Sequence, residues 1–168
     1  MQYLDHDLED FICQLPVGKQ RDQAIQRMAI AMVEIIEMMH KKTNHIHRDI
    51  KPPNFRVHEG KLFITDFGLA TEWLKEGKHI EQTKNEPIQG TLRYASHWTH
   101  EGVTQSRRDD IEMIGYSIIK LLSENPKEEL WPNVILEDGI SVNEMSVRFY
   151  TAKTNFIQKN IPRFRQAI

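Results

Sequence analysis

The chain has 168 residues, which suits one compact domain with a sizeable core. Its 39% hydrophobic content and mean hydropathy of -0.55 are those of a water-soluble globular protein. A formal charge of -2 excludes a general pull toward nucleic acid or anionic membrane, and the longest apolar run, Met28 to Val33, is far short of a bilayer span.

In chain order, Leu8, Phe11, Ile12 and Leu15 recur at helical spacing and predict a short amphipathic helix ended by Pro16. A longer helix is predicted from about Lys19 to His40. Its apolar stripe (Ile25, Met28, Ala29, Met32, Ile35, Ile36, Met39) is wide enough to predict that it is largely buried. Phe55 to Val57 and Leu62 to Ile64 are short β-prone runs around HEGK, a hairpin with Gly60 at its turn. Residues 66 to 105 show no sustained periodicity and read as a long loop, a feature that is usually functional at this length. Ser106 to Asp109 could cap a helix that is apolar nearly all round (Ile111, Ile114, Ile118, Ile119, Leu121, Leu122) and so is expected as the central buried rod. Ser141 to Glu144 opens a last helix that should stop near Asn160, before Pro162. The expected fold is therefore mainly α with one small β-hairpin.

Cys13 is the only cysteine, so no internal disulfide is possible; it lies beside the Phe11/Ile12 stripe and is expected to be a buried, unreactive thiol. Met1 is followed by polar, acidic QYLDHDLED, unlike a signal peptide, and no Asn-x-Ser/Thr sequon occurs. The expected location is intracellular, cytoplasmic or nuclear.

The chemistry is concentrated in HIHRDIKPPNFRVHEGKLFITDFGLA, residues 45 to 70. His47-Arg48-Asp49-x-x-x-x-Asn54 is followed across the hairpin by Asp66-Phe67-Gly68. Phosphoryl transfer from ATP explains both motifs and the reversal between them, because that reaction depends on positioning and charge neutralisation. Asp49 suits the proton acceptor beside the acceptor hydroxyl. Lys51 can reach the γ-phosphate, and Asn54 and Asp66 are hard oxygen ligands suited to Mg²⁺. The hairpin should fold Asn54 and Asp66 toward one point in a cleft shared with Asp49, with Gly68 freeing the backbone to swing Asp66 into place. Either motif alone would mean little; both in order, with Asn at the required offset, are hard to produce by chance.

These motifs make the sequence resemble a protein kinase. IHRDIKPPNF is similar to the catalytic loop of Ser/Thr kinases. GTLRYAS, from Gly90, and HEGVTQSRRDDIEMIGY, from His100, resemble the casein-kinase-1 group. EGKHIEQTKNEP and VRFYTAKTNFIQKNIP are more similar to the vaccinia-related kinases within it. The resemblance spans about residues 1 to 162. It implies a kinase C-terminal lobe, with catalytic loop 47–54, activation segment 66–96, central helix 107–123 and last helix 141–160, using ATP and Mg²⁺ on protein substrates.

It further implies that Asp110 holds the catalytic-loop backbone, that Arg48 touches the loop between Asp66 and Ser96, and that Thr91 sits beside Asp49 and Lys51. His47 supports the same loop. Tyr3 and Leu4 fall at the hinge that meets adenine, with Met1 as gatekeeper. Arg56 stands where the family usually has a Leu beneath adenine, a charge that weakens nucleotide binding unless it stacks or turns to solvent.

The family's upper lobe, with its Gly-rich loop, strand Lys and helix Glu, has no match before the catalytic loop, and the further helices with which the family continues after Pro162 are expected to be missing as well. Two readings follow. One is a Ser/Thr kinase lobe that works with a separate upper lobe. The other is an inactive lobe that binds a partner kinase or its substrate. Either would expose apolar surface around Leu4, Ile64 and Phe67 and favour self-association or a partner.

His97-x-x-His100 has zinc-like spacing, but no Cys or His pair completes it. Lys41, Lys42, Lys51, Arg93, Arg107 and Arg108 could form a patch for acidic or phosphorylated substrates.

Overall fold

The computed structural model describes residues 6–135 and 137–165, the last five by backbone alone. Helix α1 (Leu8–Cys13) starts on Asp7, whose carboxylate accepts the Asp10 N–H at 2.8 Å, and buries Leu8 and Ile12 completely. Cys13 at its end is half-buried rather than fully enclosed; burial still pushes its thiol up from the ordinary value.

Helix α2 (Lys19–Thr43) ends on Asn44 in the left-handed conformation, with His40, Lys41 and Lys42 in a last turn whose dipole favours cations. It is less buried than its stripe predicts. Ile25, Met32 and Ile36 are enclosed, but Ile30, Val33 and Met38 on the opposite side are exposed, so the helix is a wall of the core and not its centre.

Strands β3 (Phe55–His58) and β4 (Lys61–Ile64) form the hairpin. Glu59 and Gly60 both have positive φ (49° and 72°), the type I′ geometry that matches strand twist. A strand that composition did not signal, β1 (His6–Asp7), completes a three-stranded antiparallel sheet in the order β1-β3-β4. Two residues are too few to show alternation.

The region from 66 to 105 is also less bare than its lack of periodicity suggests. Short strand β5 (Thr71–Glu72) pairs with β2 (His45–Ile46), just before the catalytic loop. Strands β6 (Leu74–Lys75) and β7 (Lys78–His79) form a second hairpin, and α3 (His97–His100) is a single helical turn. Trp73, between β5 and β6, donates its indole N–H to the His40 carbonyl at 3.2 Å and lies 3.7 Å beneath the Arg107 guanidinium. Local pairs of this size cannot be seen in a hydrophobic pattern.

Helix α4 (Arg107–Leu122) runs between two cores. Met113, Ile114 and Leu121 join Leu8, Ile12, Ile25, Met32, Ile36, Ile50, Phe55 and Val57 on one side. Tyr116 joins Tyr94, Trp131 and Phe149 on the other. It is central but not a fully buried rod: Ile111 and Leu122 are 46% and 56% exposed along the edge that neither core reaches.

Helix α5 (Val142–Arg165) opens with the predicted capping box, Ser141 N–H to Glu144 Oε2 at 3.1 Å and Glu144 N–H to Ser141 Oγ at 3.2 Å. It does not stop before Pro162 but continues to Arg165. Within the final turn a proline forfeits one backbone hydrogen bond without interrupting a longer ladder. Among the described residues, no helix is long and apolar enough to cross a membrane.

Candidate active site

The site hangs from one buried carboxylate. Asp110, in the first turn of α4 and 1% exposed, accepts the backbone N–H of His47 (2.8 Å, Oδ2) and of Arg48 (2.9 Å, Oδ1). Its Oδ2 also lies 2.7 Å from Nε2 of buried His40 on α2. The positive end of the α4 dipole favours a carboxylate there. These bonds hold Arg48 in a left-handed conformation (φ 69°), which a side-chain-bearing residue adopts only under constraint. The Arg48 guanidinium donates through Nε to the Leu69 carbonyl at 2.6 Å, tying the catalytic loop to the segment after Asp66. Burial draws the Arg48 pKa below its ordinary value.

Gly90 approaches this loop from the other side. It has φ 88°, and a Cβ on it would lie 2.4 Å from the Arg48 carbonyl oxygen, so only glycine fits. The next residue, Thr91, donates its N–H and its hydroxyl to Asp49 Oδ1 at 2.9 and 2.7 Å. Lys51 bridges the same groups from above, 2.7 Å from Asp49 Oδ2 and 2.9 Å from Thr91 Oγ1. Burial works to raise the Asp49 pKa, but hydrogen bonds from Lys51 and Thr91 outweigh it and hold the carboxyl below the usual range. Asp49 is therefore an ionised acceptor at neutral pH.

Asn54 ends a short turn from Pro52 and is buried. Its Nδ2 donates to the Asp49 carbonyl at 2.8 Å, which turns the amide oxygen away from that contact. Its own carbonyl accepts from Thr65 N and Thr65 Oγ1 at 2.9 and 3.1 Å. The hairpin thus returns the chain to Asn54 one residue before Asp66. His47 contributes a ring nitrogen 3.0 Å from the Thr65 carbonyl, and its ring centre lies 5.4 Å from that of Phe67.

Asp66 departs from the expected role of Gly68. The residue in the left-handed region is Asp66 itself (φ 64°, ψ 68°). A Cβ on Gly68 would lie 3.4 Å from Asp66 Oδ1, an ordinary contact, so glycine is not demanded there by space. Asp66 is exposed, and no group among the described residues donates to its carboxylate. A carboxylate and an amide oxygen are the hard donors that Mg²⁺ takes, alongside phosphate and water oxygens, so Asp66 and Asn54 are the residues that could hold it.

Arg56 lies mid-strand on β3, half-buried, opposite Asp7 and Phe63, on the outer side of the sheet and away from buried Phe55 and Val57. Tyr3, Leu4 and Met1 lie outside the described residues. Of the other basic residues singled out in the sequence, Lys41 pairs with Glu37, Arg93 with Glu129, Arg107 stacks on Trp73 and Arg108 on Trp98, while Lys42 is exposed. His97 bonds Tyr150 and lies 3.5 Å from Glu101, and His100 bonds Ser146; among the described residues no three His, Cys, Asp or Glu side chains are grouped to hold a metal ion.

Sequence reasoning missed His40, the third partner of Asp110, and the second task of Asp109, which accepts from the Ser106 N–H at 2.6 Å as the predicted cap and also from the Ser96 hydroxyl. The adjacent aspartates thus divide their work: Asp109 fixes the end of the activation segment and caps α4, while Asp110 suspends the catalytic loop.

The sequence matches the model of the protein kinase domain over residues 1–159, and the chain belongs to that family. A kinase-type transferase function follows from membership.

Proposed function

We propose that the chain is the C-terminal lobe of an ATP-dependent Ser/Thr protein kinase of the casein-kinase-1 group, nearest the vaccinia-related type. The observation that carries this reading is the Asp49–Lys51–Thr91 cluster, with both Asp49 oxygens engaged. In this reading Asp49 orients the substrate hydroxyl and accepts its proton late, as suits a carboxylate of low basicity. Lys51 leaves Asp49 for the γ-phosphate as charge develops there. Asn54 and Asp66 would hold Mg²⁺, which neutralises the phosphates when bound.

In this reading the lobe works together with an upper lobe that carries the family's phosphate-covering loop. Exposed Phe63 (38%) and Phe67 (52%) on the catalytic face support such a partner. They equally support the second reading, an inactive lobe that docks on another kinase or its substrate.

The deciding experiment is phosphotransfer from Mg–ATP to an acidic protein substrate, alongside calorimetry of Mg–ATP binding. The catalytic reading expects Ser/Thr labelling that Asp49→Asn reduces by about 10²–10⁴-fold. Absence of both transfer and nucleotide binding would leave the docking reading.

A further inference from the structure

Lys153, in the middle of α5, is 1% exposed, yet no carboxylate bonds it. Its ammonium donates to the carbonyls of Leu92 (2.9 Å) and Ala95 (2.5 Å) and to Nε2 of His100 (2.9 Å). The His100 ring is oriented for this by its other nitrogen, 2.7 Å from Ser146 Oγ. The ammonium also lies 4.6 Å from the centre of the Tyr116 ring. Burying an ammonium without a counter-ion is costly, and a Leu or Met would pack against Tyr116 and Phe149 without that cost. The charge therefore marks a task beyond packing.

The two carbonyls belong to a single turn. Tyr94 N and Ala95 N both donate to the Thr91 carbonyl, at 2.9 and 3.0 Å. Thr91 is the residue whose N–H and hydroxyl grip Asp49. We propose that Lys153 is a positioning residue: its ammonium clamps the turn from Thr91 to Ala95 and so keeps Thr91 on Asp49 and Lys51. Burial draws the Lys153 pKa down to about 7, opposed by the charge of Glu112, and holds His100 down at about 3, aided by Lys153 and His97. The clamp thus works through a neutral His100 that accepts from Lys153.

The catalytic consequence rests on the kinase reading; the structural one does not. Lys153→Met and Lys153→Arg are compared by amide hydrogen exchange and by phosphotransfer. Lys153→Met should speed exchange at Thr91, Tyr94 and Ala95 by about 10-fold, the loss expected for charge-assisted bonds, without changing Ile114 in α4. It should lower kcat by a similar factor, with KM for Mg–ATP unchanged, and Lys153→Arg should recover part of both.

Exchange that rises everywhere alike, or not at all, overturns the proposal. If the exchange pattern appears but the unaltered chain transfers no phosphate, the kinase reading fails and the positioning role stands. If Lys153→Met does not fold, the unaltered chain decides. Selective ¹⁵N labelling should show scalar coupling from Lys153 Nζ to the carbonyl carbons of Leu92 and Ala95, and its absence refutes the clamp.

Discussion

Replacing Asp110 by alanine should cost more than any surface substitution and should act first on the catalytic loop. The change removes the acceptor for the N–H groups of His47 and Arg48 and for His40 Nε2, in a site that is 1% exposed. A buried donor left without an acceptor costs about 1–3 kcal/mol. With some recovery by entering water, about 3–5 kcal/mol is expected, a large share of the stability of an ordinary domain. The strained Arg48 backbone (φ 69°) would then lack its restraint and relax. Urea unfolding gives the magnitude, and amide exchange at His47 and Arg48 gives the location. A loss below about 0.5 kcal/mol, or unchanged exchange at both amides, would refute the suspension of the loop from α4.

Gly90→Ala should destabilise by about 2 kcal/mol or more, since the new methyl would meet the Arg48 carbonyl at a positive φ; a thermal melt equal to that of the unaltered chain would contradict this. Thr91→Val removes the hydroxyl between Asp49 and Lys51 and should lower phosphotransfer about 10-fold while leaving the fold intact by circular dichroism. Stability should rise with pH in two windows. Lys153 titrates near 7 when folded and near 10.5 when unfolded, so the unfolded chain binds the extra proton between those values and stability climbs by up to about 1.4 kcal/mol per unit, a gain that Lys153→Met abolishes. His100, about 3 folded against 6.5 unfolded, supports the fold fully above 6.5 and loses that support as pH falls toward 3; His100→Asn should flatten that branch of a melting-temperature profile.

The parts of this fold that are legible in the sequence are those whose cause is local. The β3–β4 hairpin follows from two alternating runs around a glycine, and both capping boxes follow from a Ser three residues before an acid. The meeting of Asp49, Lys51 and Asn54 is legible because the motif keeps them within one short loop. What escapes is whatever depends on the partner across space. Ile30 and Ile111 are as apolar as their buried neighbours, and only the placement of the two cores decides that they face out. The left-handed Arg48 carries no compositional sign, since its conformation is imposed by bonds to Asp110 and Leu69. Lys153 meets acceptors 58 and 61 positions away, and nothing in the helical pattern of α5 distinguishes it from a solvent-facing lysine.

The stacking of Trp73 under Arg107 gives the molecule an optical gauge of its own. This indole joins the stretch that follows Asp66 to both α2 and α4, whereas Trp131 is enclosed among aromatic rings and Trp98 lies farther along the segment. Lifting that stretch away from α4 would separate dye from cation and shift the emission of one tryptophan in three, so docking and release can be followed in solution without attaching a label.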